Sequence, residues 1–140
     1  MQFAPYLNFN GKCREAFAYY QKHLGGEIPM TLTYGETPGE PNPAFTDETR
    51  KLIAHTRLTI GDFAIMGSDN PPTMQSTMAN EVVTVCFYVP NAAEAERVFK
   101  ALSDKGEVRM PLQQTFFAHR FGMATDQFGV MWMVNCETAA

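Results

Sequence analysis

Residues 5–26, PYLNFNGKCREAFAYYQKHLGG, predict a strand that leads into a helix. The first residues alternate between apolar and polar and include a proline, which is typical of a strand near a sheet edge. After Gly11, apolar side chains recur at helical spacing. They form one stripe, Cys13, Ala16, Phe17, Tyr20 and Leu24. Gly25 and Gly26 then predict the end of the helix.

Three further strands are predicted in the first half of the chain. The first covers residues 27–35, EIPMTLTYG. The other two are KLIAHTRLTI, residues 51–60, and DFAIMGSD, residues 62–69, joined by a hairpin at Gly61 and Asp62. The intervening residues 35–50 are rich in Pro and Gly, so they predict an exposed loop.

The second half repeats this order without obvious sequence identity. A strand at 81–89, EVVTVCFYV, precedes a helix that Asn91 caps and Gly106 ends. EVRMPLQQ at 107–114 is the next strand, and two more flank the turn TDQFG. We therefore predict one α+β domain, residues 1–140, made of two βαβββ modules at about 1–70 and about 80–137. Since neither module covers its second face, the two should share one large mixed sheet with both helices outside.

Composition excludes several classes of function. The chain has 45% apolar residues, 19% charged residues and a net charge of -4, and its basic residues are scattered, so we expect no nucleic-acid partner. Its apolar runs are too short to cross a membrane, and its start lacks the pattern of a signal peptide, which predicts a cytoplasmic protein. The three cysteines form neither a zinc-ligand pattern nor a disulfide framework.

Three segments resemble a known family: residues 5–26, IAHTRLTIGDFAIMGSD at 53–69, and QTFFAHRFGMATDQFGVMWMVN at 114–135. They resemble the PhnB-like branch of the glyoxalase/bleomycin-resistance/dioxygenase superfamily, also called vicinal oxygen chelate. Members of this branch are often labelled 3-demethylubiquinone 3-methyltransferase-like. The resemblance implies that the paired modules form a curled mixed sheet around a cavity, within a homodimer. No Rossmann-type glycine turn for S-adenosylmethionine supports the methyltransferase label.

Strand alternation predicts which side chains face the cavity. His55, Arg57 and Thr59 should face inward, with Leu58 and Ile60 against the helices. By the same alternation, further inward-facing residues are Pro5, Leu7, Phe9, Thr84, Cys86, Tyr88, Met131, Met133 and Asn135. A slip of one residue in register would invert each assignment.

The resemblance also implies four metal-ligand positions, one on the first and one on the last strand of each module. In this chain they fall at Pro5, about Met66, Thr84 and Met133. Relatives that bind a divalent ion use His, Gln or Glu there, and none of these four side chains can replace an imidazole or a carboxylate. We therefore predict no metal at these positions and no cofactor. A displaced site that uses His55 and His119 stays open as an alternative.

Two functions from different classes remain. The first is a binding protein for a small, largely apolar or aromatic molecule. Its contacts are predicted to be Arg57, Met66, Thr84, Cys86, Phe117, Met131 and Met133.

The alternative is an enzyme on a small metabolite (a lyase, isomerase, dioxygenase or, by label only, methyltransferase), with His55 as its catalytic acid/base and Arg57 binding an anion. His55 as a hydrogen-bonded core residue, and Arg57 as half of an ion pair, are the structural alternatives. Asp69 and Asp126 are predicted to cap turns.

Overall fold

Two βαβββ units make up the architecture, which a computed structural model describes for residues 1–72 and 82–139. Contacts divide the chain into the units Met1–Thr77 and Met78–Ala140. Each unit holds one four-stranded mixed sheet and one long helix, so the predicted α+β class with two βαβββ modules is confirmed. The described strands form two four-stranded sheets and not the one large sheet that was predicted. Residues 69–80, DNPPTMQSTMAN, are also predicted from the sequence to be a loop between the two halves, and residues 73–80 of it lie outside the described residues. No helix in the described ranges is both long and apolar enough to span a bilayer.

Besides a short 3-10 helix at Tyr34–Glu36, the described part of the first unit contains four strands and two α-helices. They are β1 (Tyr6–Phe9), α1 (Cys13–Leu24), β2 (Glu27–Thr33), α2 (Asp47–Lys51), β3 (Ile53–Ile60) and β4 (Phe63–Asp69). The strand order in the sheet is β1-β4-β3-β2, with β1 parallel to β4 and the other pairs antiparallel. The β3–β4 hairpin turns at Gly61 and Asp62, as predicted.

Helix α2 corrects the prediction of a plain loop at 35–50. Thr46 caps it, because its side-chain oxygen accepts a hydrogen bond from the Thr49 backbone N–H. Asp47 and Glu48 in the first turn, and Arg50 and Lys51 in the last, complement the helix dipole. The Pro- and Gly-rich residues before Thr46 obscured this short helix in the sequence pattern.

The predicted stripe of α1 is the buried face of the helix. All five of its side chains are buried: Cys13, Ala16, Phe17, Tyr20 and Leu24. The helix approaches the sheet closely at Gly67, where an added Cβ would lie 2.9 Å from Cζ of Phe17. Any larger residue at this position would push Phe17 out of its place.

The predicted register of β1 is wrong by one residue. Phe9 is buried, and its ring packs edge-on against Phe17 with the centroids 6.3 Å apart. The face that carries Phe9 therefore points toward α1, and Tyr6 lies on the opposite face. The alternation in the sequence separates the two faces of β1, but only the packing against the apolar face of α1 decides which face carries Phe9 inward.

Asp69 connects the end of β4 to α1 and β3. Its buried carboxylate accepts hydrogen bonds from the backbone N–H groups of Gly11 and Cys13 at Oδ1, and of Ile53 at Oδ2. Because Lys12 gives α1 no side-chain cap, Asp69 serves as the cap from the neighbouring strand β4, where it lies opposite Phe9. Asp69 therefore does more than cap a turn, which is the role that the sequence predicts for it.

The second unit repeats the arrangement with one helix. Its elements are β5 (Val85–Tyr88), α3 (Ala92–Ser103), β6 (Glu107–Gln113), β7 (Arg120–Thr125) and β8 (Met131–Cys136). The sheet order is β5-β8-β7-β6, again with the first strand parallel to the last. Asn91 caps α3 as predicted, because its side chain accepts from the Glu94 N–H.

Two features stabilise the second unit: a close contact between α3 and β7, and a buried carboxylate in the turn between β7 and β8. A Cβ at Gly122 would lie 2.7 Å from the Phe99 ring, so α3 approaches β7 closely at this glycine. In the predicted turn TDQFG, the Asp126 carboxylate accepts from the N–H groups of Phe128 and Val130 and from Nε1 of buried Trp132. The β7–β8 turn is thus tied to the core by one buried side chain.

Substituting Asp69→Asn is expected to lower the free energy of unfolding by about 2 to 4 kcal/mol. The asparagine keeps one acceptor oxygen but turns an NH2 group toward a buried backbone N–H. Urea denaturation measures the change, and Asp62→Asn, at the exposed β3–β4 turn, is the control. Equal, small effects of both substitutions would contradict the role assigned to Asp69.

Candidate functional site

The sheet face of the first unit that points away from α1 carries the predicted residues Arg57 and Met66. These two are cross-strand partners, and the same row continues to Tyr6 on β1 and to Met30 on β2. On the opposite face of β3, Thr56 and Leu58 are buried. Arg57 and Met66 therefore share the face on which the alternation of β3 predicts Arg57.

Arg57 and Met66 also line a cleft of about 440 Å³ together with Gln2, Phe3 and Ala4. The cleft combines one aromatic ring, one thioether and one guanidinium. Among the described residues, Arg57 has neither a carboxylate partner nor a hydrogen-bond partner. A guanidinium can donate two parallel hydrogen bonds to a carboxylate or a phosphate-like group.

His55 lies two residues before Arg57 on the same face and contacts Tyr6. The Tyr6 hydroxyl is 3.0 Å from Nδ1 of His55, and the two rings stack with centroids 5.6 Å apart. The hydrogen bond at Nδ1 leaves Nε2 as the second functional nitrogen of the ring. Sequence reasoning missed Tyr6 because the register of β1 was misassigned, and the apolar match between Phe9 and Phe17 was the signal for the correct register.

In the second unit, the face away from α3 carries a row of sulfur atoms. Cys86 pairs with Met133, Met133 with Met123, and Met123 with Met110, so the four residues occupy consecutive strands. We call these four residues the sulfur row. Cys86 is exposed and the three methionines are half-buried. Trp132 and Val134, which alternate with Met133, are buried on the other face.

The next row in this sheet consists of Tyr88, Asn135 and Phe121. Asn135 is 7% exposed, and its Oδ1 atom has no hydrogen-bond partner in the described part of the chain. A buried acceptor without a donor lowers stability. It is the one polar group on this face that is both buried and unsatisfied among the described residues.

The remaining predicted ligand contacts are spread over the second unit. Thr84 directly precedes β5 and is half-buried, and Met131 begins β8 opposite Thr125. Phe117 lies in the loop before β7, where it packs edge-on against Phe121 at 5.0 Å. These positions, like those of Cys86 and Met133, stay predictions as ligand contacts.

The three thiols differ in reactivity. Burial, with a smaller effect from the nearby Asp69 charge, raises the pKa of Cys13 to about 12, so this thiol stays protonated. Burial also raises the pKa of Cys86, which a hydrogen bond with Tyr88 partly offsets. Cys136 is buried and donates to the Thr138 carbonyl oxygen. Cys86 is therefore the accessible thiol.

A family profile for the Glyoxalase/Bleomycin resistance protein/Dioxygenase superfamily matches residues 3–134. The chain belongs to this superfamily. Protein YjdN from Escherichia coli (strain K12) is 36% identical over 141 residues, which cover 96% of this chain and 95% of that protein. The crystal structure of protein PA1353 from Pseudomonas aeruginosa is 47% identical, with a TM-score of 0.87 and 98% of each chain covered.

A PhnB protein from Bacillus cereus shares the superfamily fold, with a TM-score of 0.78 over 97% of this chain and 99% of that one. It carries the name 3-demethylubiquinone-9 3-methyltransferase and is 23% identical to this chain, so the likeness concerns the fold. Together with the family profile, it confirms the predicted resemblance to PhnB-like members of the superfamily.

The residues at the implied ligand positions are not of the types that a divalent metal ion prefers. Met66 and Met133 offer thioethers at two of the implied ligand positions, and a thioether is a poor ligand for a hard or borderline ion. Within residues 1–72 and 82–139, no three side chains among His, Cys, Asp and Glu come together in a ligand cluster. The implied positions therefore offer no set of ligands suited to such an ion.

Substituting Asn135→Leu is expected to raise the free energy of unfolding by about 1 kcal/mol, because it removes a buried amide oxygen that has no donor among the described residues and keeps the branched shape. Asn135→Asp is the matched variant and should lower stability, since it buries a charge at the same place. Thermal and urea denaturation measure both. A clear loss of stability in Asn135→Leu would mean that the amide has a partner in the folded protein.

Proposed function

We propose that this superfamily member binds a small, largely apolar or aromatic molecule that carries one anionic group, without the usual superfamily metal. The observation that supports the proposal most is Arg57, which lines the 440 Å³ cleft and has no partner among the described residues. Phe3 and Met66 supply the apolar contacts in the same cleft.

The size and chemistry of the cleft favour such a ligand. Small-molecule sites commonly measure about 300 to 1,000 Å³ and combine apolar walls with a few polar anchors. A methionine adapts to different ligand shapes because its side chain is flexible and polarizable. The planar guanidinium of Arg57 can donate two parallel hydrogen bonds to a carboxylate or phosphonate, which fixes the orientation of the ligand.

A pair of fluorescent probes tests the role of Arg57. Anilinonaphthalene sulfonate carries an anionic group on an aromatic body, whereas N-phenyl-1-naphthylamine is its neutral analogue. Arg57→Met is expected to weaken sulfonate binding by roughly tenfold or more, the equivalent of one charge-assisted hydrogen bond. Fluorescence titration gives both dissociation constants.

The neutral probe is the control for this experiment, because its binding should not change in Arg57→Met. Met66→Trp fills the cleft and should weaken both probes. If Arg57→Met leaves sulfonate binding unchanged while Met66→Trp weakens it, the cleft binds apolar molecules without an anionic anchor. If neither substitution has an effect, the probes bind elsewhere and the proposal fails.

A second candidate is an enzyme in which His55 is the acid/base. The contact between the Tyr6 hydroxyl and Nδ1 of His55 favours it, since a catalytic imidazole is commonly oriented through its second nitrogen. Extended strands rise about 3.3 Å per residue, so Arg57 lies close enough to hold an anionic substrate beside His55. Nε2 would then donate or accept the proton.

For the enzyme, His55→Gln is expected to lower kcat/KM by about 10² to 10⁴ on a substrate found by screening small carboxylates and phosphonates for turnover. Tyr6→Phe should lower kcat less, because it removes only the orienting hydrogen bond. The melting temperatures of both variants should stay near that of the unsubstituted protein. A large fall in the melting temperature of His55→Gln would indicate a structural histidine instead.

We also propose the assembly that the family resemblance implies and the location that the sequence predicts. The modules at about 1–70 and about 80–137 form one domain, two chains form a homodimer, and the protein works in the cytoplasm, where its three thiols stay reduced. Light scattering after size-exclusion chromatography gives the assembly directly: a mass near twice 15.7 kDa supports the dimer, and a mass near 15.7 kDa contradicts it.

A further inference from the structure

The sulfur row of the second unit has a composition that core packing does not explain. Its four residues, Cys86, Met133, Met123 and Met110, are consecutive cross-strand neighbours on one face. The buried side of the sheet is the other face, where Trp132 and Val134 pack. Residues that served the core would be buried with them, but Cys86 is exposed and the methionines are half-buried.

The spacing of the strands brings three of these sulfurs within reach of one point. Neighbouring strands lie about 4.8 Å apart, so Met133 on β8 is flanked at this distance by Cys86 on β5 and Met123 on β7. Each methionine has three rotatable bonds before its methyl group, which lets both thioethers turn toward the Cys86 sulfur. Met110 is one strand further away.

A thiol and two thioethers select a soft monovalent metal ion. Thiolate and thioether ligands favour Cu(I), whereas Mg²⁺, Mn²⁺ and other hard ions need oxygen ligands, and the row offers none. Cu(I) accepts two or three sulfur ligands without further donors. The other thiols do not compete, since Cys13 and Cys136 are fully buried.

We propose that the sulfur row binds one Cu(I) ion through the Cys86 thiolate and the thioethers of Met133 and Met123. On binding, the S–H bond of Cys86 breaks, a sulfur–copper bond forms and one proton leaves to solvent, so no electron is transferred. The site lies in the second unit and shares no residue with the cleft at Arg57. Copper binding can therefore be tested independently of ligand binding in that cleft.

Anaerobic titration of the full-length protein with Cu(I) held by bicinchoninate tests the site. The protein is expected to withdraw one equivalent of Cu(I) from the chelator. Cys86→Ser should abolish the transfer, and Met133→Leu and Met123→Leu should each weaken binding at least tenfold. Met30→Leu, in the other sheet, is the matched control and should bind as the unsubstituted protein does.

Leucine is close to methionine in volume, so these variants are expected to fold, and circular dichroism with a melting curve verifies this. The proposal is overturned if the protein takes up no Cu(I). It is equally overturned if Met133→Leu and Met123→Leu both bind as tightly as the unsubstituted protein, since a single thiol then holds the ion. X-ray absorption of the copper-loaded protein should show sulfur ligands alone, and nitrogen or oxygen ligands would contradict the site.

Discussion

The fold of the first unit depends on one buried carboxylate. Asp69 accepts backbone hydrogen bonds from Gly11, Cys13 and Ile53, so the loop before α1, the helix start and the beginning of β3 all converge on the end of β4. The Tyr34 hydroxyl also donates to the Asp69 carbonyl oxygen, at 2.7 Å. These bonds satisfy polar groups that would otherwise be buried without partners. They also hold β3 in place, and with it both His55 and Arg57.

Most of the architecture was predictable because it follows from local patterns. The buried stripe of α1, the Asn91 cap, the hairpin at Gly61 and the turn at Asp126 each depend on residues close in sequence. The orientation of β1 was not predictable in this way, since the alternation in PYLNF separates two faces without deciding which of them packs on the helix. Its register is decided by the packing of Phe9 on Phe17 and by the parallel pairing with β4.

In the candidate sites, too, the features that follow from local patterns were predictable, and those that depend on contacts between distant residues were not. The alternation of β3 placed His55 and Arg57 on one face, and that of β8 placed Met133 opposite Trp132. The Tyr6–His55 contact and the sulfur row depend on which strands are neighbours, and no spacing in the sequence encodes that order. Nor did the sequence reveal that Asn135 is buried with an unsatisfied oxygen. The methionines thus differ in their surroundings: Met66 lines a cleft, Met133 lies beside the Cys86 thiol, and Met123 lies one strand further away.

The parallel pairing of β1 with β4 has a consequence for synthesis of the chain. A helix whose cap lies 56 residues further along cannot be completed by the amino-terminal segment alone. On the ribosome, residues 1–60 have emerged before the partner strand of β1 exists, so the apolar side of α1 is exposed to solvent and to chaperones during this interval. Such contacts between distant residues slow folding, because a long loop must close before they form.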